Sequence, residues 1–276
     1  MTIDISQLAF PHVSPQGLKA LDIIAQPEPD IRELQTVILG DPVLAGMLLR
    51  HANSPLYRRS QPITNVPAAI RALGFKSIRS AVVMATLHNN ELAGVANQSV
   101  WEHSSATALA ARLIADRLIP AAADDMEFLG LIHDTGMLVL SSNFPAQYQD
   151  ILHRSETEQR PVDQLEIEVF GVQHSSIMNT FLEQFRLPAG MINLLSRFHC
   201  HTAIETIEND DQRQLCILDM CHYLLQMIDR QRHSPHQETI IEPLGRLQDL
   251  LGIDDTLLAV LKHDIETCLA EQHQYD

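Results

Sequence analysis

Apolar residues recur at helical spacing along most of this chain. In the segment DPVLAGMLLRHAN, the spacing i, i+1, i+4, i+5 places Val43, Leu44, Met47 and Leu48 on one face of a helix. A later segment, VWEHSSATALAARLIADRL, is rich in alanine, the strongest helix former. No alternating run of useful length indicates a strand, and we find no internal repeat. The pattern predicts an all-α protein, a bundle of many helices.

Residues that start and stop helices divide the pattern into elements. Asp41 followed by Pro42 predicts a helix start. Asp163 with Glu166 has the spacing of a capping box, in which two side chains satisfy backbone N–H groups of the first turn. A short helix is predicted to end near Gly74.

A polar segment, 89–99, has the composition of a linker. From about Asp210 onward the pattern predicts two or three further helices. We therefore expect two packed helical lobes, an N-terminal lobe over 1–95 and a second lobe over 96–276.

The stretch FLGLIHDTGMLVLSS places the adjacent His133 and Asp134 inside an apolar run. We expect Asp124 or Asp125 to cap the helix that carries them. Burying an imidazole and a carboxylate together costs free energy unless something pairs with them. Successive side chains on a helix lie about 100° apart, so both can reach one ion only over the edge between them.

Composition fits a folded helical protein of the cytoplasm. Apolar residues make up 45% of 276 residues, whereas aromatic residues make up only 5%. No run approaches the roughly 18 apolar residues of a membrane helix, and the first ten residues lack the features of a signal peptide. None of the four cysteines forms a CxxC pair, which favours free thiols in a reducing compartment.

Charge is spread unevenly along the chain. The net charge is −16, which argues against general nucleic-acid binding. The stretch 42–90, however, has no Asp or Glu, and its cations are Arg50, Arg58, Arg59, Arg71, Lys76 and Arg79. Two interpretations stay open: a helical subdomain whose basic face docks on the acidic remainder, or a site for an anionic nucleotide or an acidic partner.

Histidine supplies the candidate chemistry. The chain has fourteen histidines, and the candidates in the predicted second lobe are His103, the doublet His133–Asp134, His174, His199 and His201. Neutral imidazoles with a carboxylate suit Fe, Mn, Zn or Ni better than Mg or Ca. Taken singly, each of these residues is also compatible with a packing or helix-end role, such as a buried hydrogen-bonded His–Asp pair.

Several blocks of the sequence resemble a known family. The His–Asp doublet is similar to that of the HD superfamily of metal-dependent phosphohydrolases. The first lobe resembles the N-terminal part of an HDOD domain at Asp41, Pro42, Leu44, Leu48, Asn53, Ser54, Tyr57, Ile63, Ala69, Ile70, Leu73 and Gly74. The resemblance continues through VWEHSSATALAAR, FLGLIHDTGMLVL and RFHCH, and covers roughly Val13 to His201. Many blocks agree in order, which is more specific than a doublet alone.

The resemblance implies an all-helical bundle with a regulatory role in bacterial signalling. Most HDOD domains are regarded as lacking the full catalytic set, whereas the related HD-GYP phosphodiesterases hydrolyse cyclic di-GMP at a bimetal centre. The metal ligands implied here are His103, His133, Asp134, His174, His199 and His222, with Asp219 as the alternative to His222. Asp134 is also the implied catalytic residue.

One position departs from the pattern of the hydrolytic relatives. Their doublet usually continues as HDxGK, but here Gly136 is followed by Met137. Methionine carries no charge, and one missing donor to a reacting oxygen costs about 3 kcal/mol in other enzymes. A bound metal would still polarise a phosphoryl oxygen and lower the pKa of water.

Two functional hypotheses follow. The first is a signalling and protein-interaction module that binds a partner protein or an anionic nucleotide through Asn53, Ser54, Tyr57, Arg58 and Arg59. The second is a metal-dependent phosphohydrolase acting on a nucleotide or cyclic dinucleotide. A third hypothesis, nucleic-acid binding through 42–90, has less support than the other two, because we find no aromatic platform for stacking bases.

Overall fold

The computed structural model describes residues 2–57, 60–89, 95–158, 160–185, 187–198, 204–233 and 238–272. Within these ranges the regular structure is helical, and no strand occurs there, which confirms the all-α prediction. The α-helices are α1 (Pro15–Ile24), α2 (Ile31–Leu39), α3 (Pro42–Ala52), α4 (Val66–Asn89), α5 (Val95–Leu118), α6 (Ala123–Ile132), α7 (Thr135–Asn143), α8 (Pro145–Glu158), α9 (Val162–Phe170), α10 (His174–Leu182), α11 (Ala189–Phe198), α12 (Asp210–His233), α13 (Glu238–Leu251) and α14 (Asp255–Gln272). Short 3₁₀ turns occupy Ile5–Gln7, Pro120–Ala122 and Glu183–Phe185. Among the residues described, no helix combines the length and apolarity needed to cross a bilayer.

The predicted start of α3 is confirmed. One oxygen of Asp41 accepts hydrogen bonds from the backbone N–H groups of Val43 and Leu44, each at 3.1 Å. Its other oxygen accepts from the hydroxyl of Ser14, itself the cap of α1, at 2.6 Å. One carboxylate therefore joins the N-termini of two helices.

Gly74 divides α4 into two helical segments. Its φ of 74° and ψ of 173° lie outside the helical region, in a conformation that essentially only glycine adopts. The prediction that a helix ends near Gly74 is confirmed.

Three local predictions are wrong. Helix α9 begins at Val162 after Pro161, so Asp163 and Glu166 do not form a capping box, and the Glu166 side chain is buried instead. Helix α6 begins at Ala123, two residues earlier than an Asp124 cap allows. Helix α5 begins at Val95, so the predicted linker is helical in its second half, while 90–94 lies outside the described residues.

The chain divides into two compact units, each made of two pieces. The first comprises Met1–Ser104 and Ile132–Ile192, and the second comprises Ser105–Leu131 and Asn193–Asp276. This division does not decide a lobe boundary near residue 95, which stays a prediction.

The core of the first unit lies between its helices. Helices α1 to α4 pack on one another, and α7 packs on α8 and α10. Leu34, Ile38, Leu44 and Leu48 are fully or almost fully buried there. Burial of such side chains stabilises the fold by about 1.5–3 kcal/mol each.

In the second unit, α12 packs on α13 and α14, and these helices confirm the predicted C-terminal helical part. Helices α5 and α6 approach closely at Gly130, where an added Cβ would lie 2.8 Å from the carbonyl oxygen of Thr107. Arg112 of α5 forms ion pairs with Asp124 and with the buried Glu127 of α6. A glycine contact and a shared cation thus join the same two helices.

Asn53 closes the loop that follows α3. Its amide nitrogen donates to the carbonyls of Leu49 and Ile63, and its amide oxygen accepts from the N–H of Ile63, all at 2.8 Å. The two ends of the loop are therefore held together by a single side chain.

We predict that Asn53→Asp destabilises the protein by about 1–3 kcal/mol, because a carboxylate cannot donate to the two carbonyls. Asn65→Asp is the matched control. Asn65 only accepts a hydrogen bond, from the N–H of Ala68 at the start of α4, and Asp caps a helix as well as Asn does. Urea unfolding of both variants measures the difference, and equal unfolding midpoints would contradict the role of Asn53.

Candidate metal centre

The His–Asp doublet lies in a turn between two helices. Helix α6 ends at Ile132 and α7 begins at Thr135, so the expectation that both residues sit on one helix is wrong. The hydroxyl of Thr135 donates to the carbonyl of Ile132 at 2.9 Å. The break removes the 100° separation of a regular helix, and His133 Nε2 lies 3.0 Å from Asp134 Oδ2.

Asp134 directs its carboxylate at histidines instead of capping α7. It occupies the N-cap position but makes no side-chain cap hydrogen bond, although such a bond is typically worth about 1 kcal/mol. Its Oδ2 also lies 3.4 Å from His103 Nε2, and its Oδ1 lies 3.5 Å from His174 Nε2. One carboxylate therefore faces three imidazoles that come from α5, the α6–α7 turn and α10.

Three donor atoms have the spacing of metal ligands. His103 Nε2 lies 3.3 Å from His133 Nε2, and with Asp134 Oδ2 the two nitrogens form a triangle. Ligands about 2.1 Å from one metal lie about 3.0–3.4 Å apart, depending on the coordination geometry. The sides of the triangle fall in this range, and imidazole with carboxylate suits Fe, Mn, Zn or Ni. These residues therefore fit a divalent transition metal.

His174 is held by a buried glutamate that the sequence reasoning missed. Glu166 Oε2 accepts from the backbone N–H of His174 at 2.8 Å and from its ring Nδ1 at 2.7 Å. Glu166 Oε1 accepts from the hydroxyl of Tyr148 at 2.6 Å. The available signal was weak: Glu166 lies one helical turn before the buried Phe170, on the apolar face of α9.

Burial and charge act in opposite directions on the ionisable groups of the centre. Burial raises the pKa of Asp134, but the charge of His133 and hydrogen bonds from the three histidines outweigh it and hold the pKa well below its usual value. Burial lowers the pKa of His174, but Glu166 and Asp134 outweigh it and raise the pKa to about 10. Burial and the charge of Glu166 raise the pKa of Tyr148 well above its usual value. Asp134 is therefore charged at neutral pH, and the phenol of Tyr148 is neutral.

Gly136 allows α7 to pass directly against the start of α10. A Cβ built on Gly136 would lie 2.0 Å from the carbonyl oxygen of His174 and 2.7 Å from its carbonyl carbon. The obstructing atoms belong to the backbone and cannot rotate away. Next to Gly136, Met137 is 8% exposed and brings no charge to the position where hydrolytic relatives carry lysine.

The remaining predicted ligands are His199 and His222, with His201 as a further candidate. His199 and His201 lie in 199–203, outside the described residues. His222 is on α12 of the second unit, where its ring lies 5.9 Å from that of Phe198, measured between ring centroids. Its role as the last ligand, like that of the alternative Asp219, stays a prediction.

The predicted partner surface follows α3. Asn53 closes the loop there, Tyr57 shares a 2.9 Å hydrogen bond with the hydroxyl of Ser77, and Ser54 is half-buried. Arg58 and Arg59 lie outside the described residues. Asn53 and Tyr57 therefore form hydrogen bonds within the chain, and their role toward a partner stays a prediction.

Comparison with known proteins identifies the family. A model of the HDOD domain matches residues 10–201. This chain belongs to the HDOD family. The match agrees with the extent of the resemblance seen in the sequence, whereas a search of curated proteins finds no match.

Solved structures share the fold of this HDOD protein. An HDOD domain protein of Geobacter sulfurreducens is 23% identical and matches with a TM-score of 0.73 over 97% of this chain and 94% of its own. A "Putative phosphohydrolase" of Shewanella amazonensis SB2B is 17% identical, with a TM-score of 0.70 over 97% and 96%. The MmoQ response regulator of Methylococcus capsulatus str. Bath is 23% identical, with a TM-score of 0.51 over 92% and 98%. At these identities the likeness shows the fold alone.

We predict that Gly136→Ala destabilises the protein by about 1–3 kcal/mol, because α7 and α10 must separate to admit the methyl group. The control is Gly190→Ala in α11, where a Cβ would meet nothing within 4 Å. Alanine there stabilises a helix by up to about 1 kcal/mol. Chemical unfolding of both variants tests the contact, and a Gly136→Ala variant as stable as Gly190→Ala would contradict it.

Proposed function

We propose that this protein is a regulatory HDOD module of bacterial signal transduction that binds a divalent transition metal in its HD-like site. The observation that carries the proposal is the triangle of His103 Nε2, His133 Nε2 and Asp134 Oδ2, with sides of 3.0–3.4 Å. His174 lies beside it at Asp134 Oδ1. His199 and His222 are the further ligands that the family pattern implies.

A plain hydrogen-bonded cluster explains this arrangement less well. His133 is fully buried and Asp134 is 4% exposed, so their polar atoms are removed from water. In such a place a metal offers each nitrogen and oxygen a strong bond, whereas two neutral imidazoles that face each other offer one hydrogen bond. Imidazoles together with one carboxylate are a donor set that transition-metal sites use.

Regulation is favoured over catalysis by the residue that follows Gly136. A hydrolase must stabilise the charge that develops on phosphoryl oxygens, and Met137 offers no charge for that purpose. We infer that the site controls the conformation of the module and that its output is binding of a signalling protein or an anionic nucleotide. The free thiols of Cys216, Cys221 and Cys268 fit a reducing cytoplasm.

The alternative is a metal-dependent phosphohydrolase that acts on a nucleotide or cyclic dinucleotide. The retained donor set favours it, because a bound metal lowers the pKa of water and polarises a phosphoryl oxygen. Asp134 would then be a catalytic residue, and His103 would lie at the accessible side of the site, since its side chain is 33% exposed.

We predict that the protein, purified without chelator, contains a divalent transition metal and that His133→Ala loses it. The control is His153→Ala, which removes an exposed histidine of α8 from the same unit and should retain the metal. Elemental analysis of the three proteins measures the content. Equal and negligible metal in all of them would rule out the metal site.

We also predict that the metal-loaded protein releases no product from cyclic di-GMP or from a simple phosphate ester above the background of His133→Ala. The reason is the missing cation at position 137. Turnover that is present in the unmodified chain and absent from His133→Ala would favour the hydrolase instead.

A further inference from the structure

Both carboxylate oxygens of Glu166 accept hydrogen bonds, one from His174 and the other from Tyr148. The side chain is fully buried. One oxygen accepts both the backbone N–H and the ring Nδ1 of His174, and the other accepts the hydroxyl of Tyr148. Three short hydrogen bonds, of 2.6–2.8 Å, therefore converge on a carboxylate that water does not reach.

Helix capping alone does not account for a buried glutamate at this position. Gln173 precedes α10 and makes no side-chain cap, so Glu166 supplies the acceptor for the first N–H of that helix. A neutral Ser, Thr or Asn satisfies such a donor as well, without the large desolvation penalty of a buried carboxylate. A glutamate at this position is explained by the second hydrogen bond, the one to the imidazole.

The hydrogen bond to Nδ1 decides how the ring of His174 is presented. A carboxylate only accepts hydrogen bonds, so Nδ1 must carry a proton and Nε2 faces away from Glu166. Nε2 then lies 3.5 Å from Asp134 Oδ1. The backbone of the same residue is fixed at its N–H by Glu166 and at its carbonyl by the close approach of Gly136. His174 is thus held on three sides.

We propose that Glu166 is a positioning residue of the metal centre: it holds the imidazole of His174 with Nε2 facing Asp134, ready to bind a divalent metal, and Tyr148 holds Glu166. This inference rests on the proposed metal site and adds to it a residue that does not touch the metal. Carboxylates that orient a ligating histidine also make it a better ligand, and their loss typically weakens metal affinity about 10- to 100-fold.

The test is titration calorimetry of the full chain with Zn²⁺ after removal of bound metal. We expect Glu166→Gln, which keeps the shape and loses the charge, to raise the Kd about 10- to 100-fold. Tyr148→Phe, which removes only the hydroxyl that donates to Glu166, should raise the Kd by a smaller factor. Glu168→Gln is the matched control, because Glu168 lies on the same helix with its side chain 48% exposed and paired with Arg154 and Arg160; its Kd should not change.

A spectroscopic readout separates positioning from a purely structural role. In the Zn²⁺-loaded protein, the Nδ1–H proton of His174 should resonate far downfield, because it is shared with a buried carboxylate. Glu166→Gln should move that resonance upfield, and Glu168→Gln should leave it in place. Proton spectra of histidine-labelled protein measure both.

The outcomes are distinct. If the unmodified chain binds no Zn²⁺, the metal site is overturned and this role with it. If the unmodified chain binds Zn²⁺ and Glu166→Gln binds it equally well with an unchanged Nδ1–H resonance, the metal site stands and the positioning role is overturned. If Glu166→Gln fails to fold, Tyr148→Phe decides alone: a raised Kd supports the role and an unchanged Kd overturns it.

Discussion

Buried carboxylates paired with imidazoles are the interaction on which the candidate site depends. Asp134 faces the rings of His103, His133 and His174, and Glu166 binds the last of these from the other side. Each carboxylate has lost its water, so its charge must be balanced by hydrogen-bond donors, cationic rings or a metal. This requirement explains why helices α5, α7, α9 and α10 are held in one arrangement around the site.

Around the doublet, the backbone departs from regular helix geometry. Helix α6 ends before the doublet and α7 begins after it, and the N-terminus of α7 lacks the side-chain cap that Asp134 could provide. Gly136 then lets α7 approach the backbone of His174 more closely than any other residue would permit. Departures from local preference of this kind are expected where function, rather than stability, selects the residues.

Family membership and site chemistry answer different questions about this protein. The HDOD match and the shared fold establish what kind of domain it is, but a fold does not determine an activity. The proposed function instead rests on the residues present: nitrogen and oxygen donors suited to a metal, and a methionine at position 137. A regulatory module that binds a metal without turnover, as proposed above, is consistent with both observations.

The sequence by itself determined the helical class, the start of α3, the break at Gly74 and the family, because these depend on local spacing, capping and φ preferences that nearby residues specify. It also identified His103, His133, Asp134 and His174 as candidates through the resemblance. Only the tertiary structure decided that the doublet lies in a turn, that Glu166 faces His174 instead of capping α9, and that Gly136 touches the backbone of His174. These features arise where residues far apart in the chain meet, and the charge and space available there cannot be read from the pattern of any single helix.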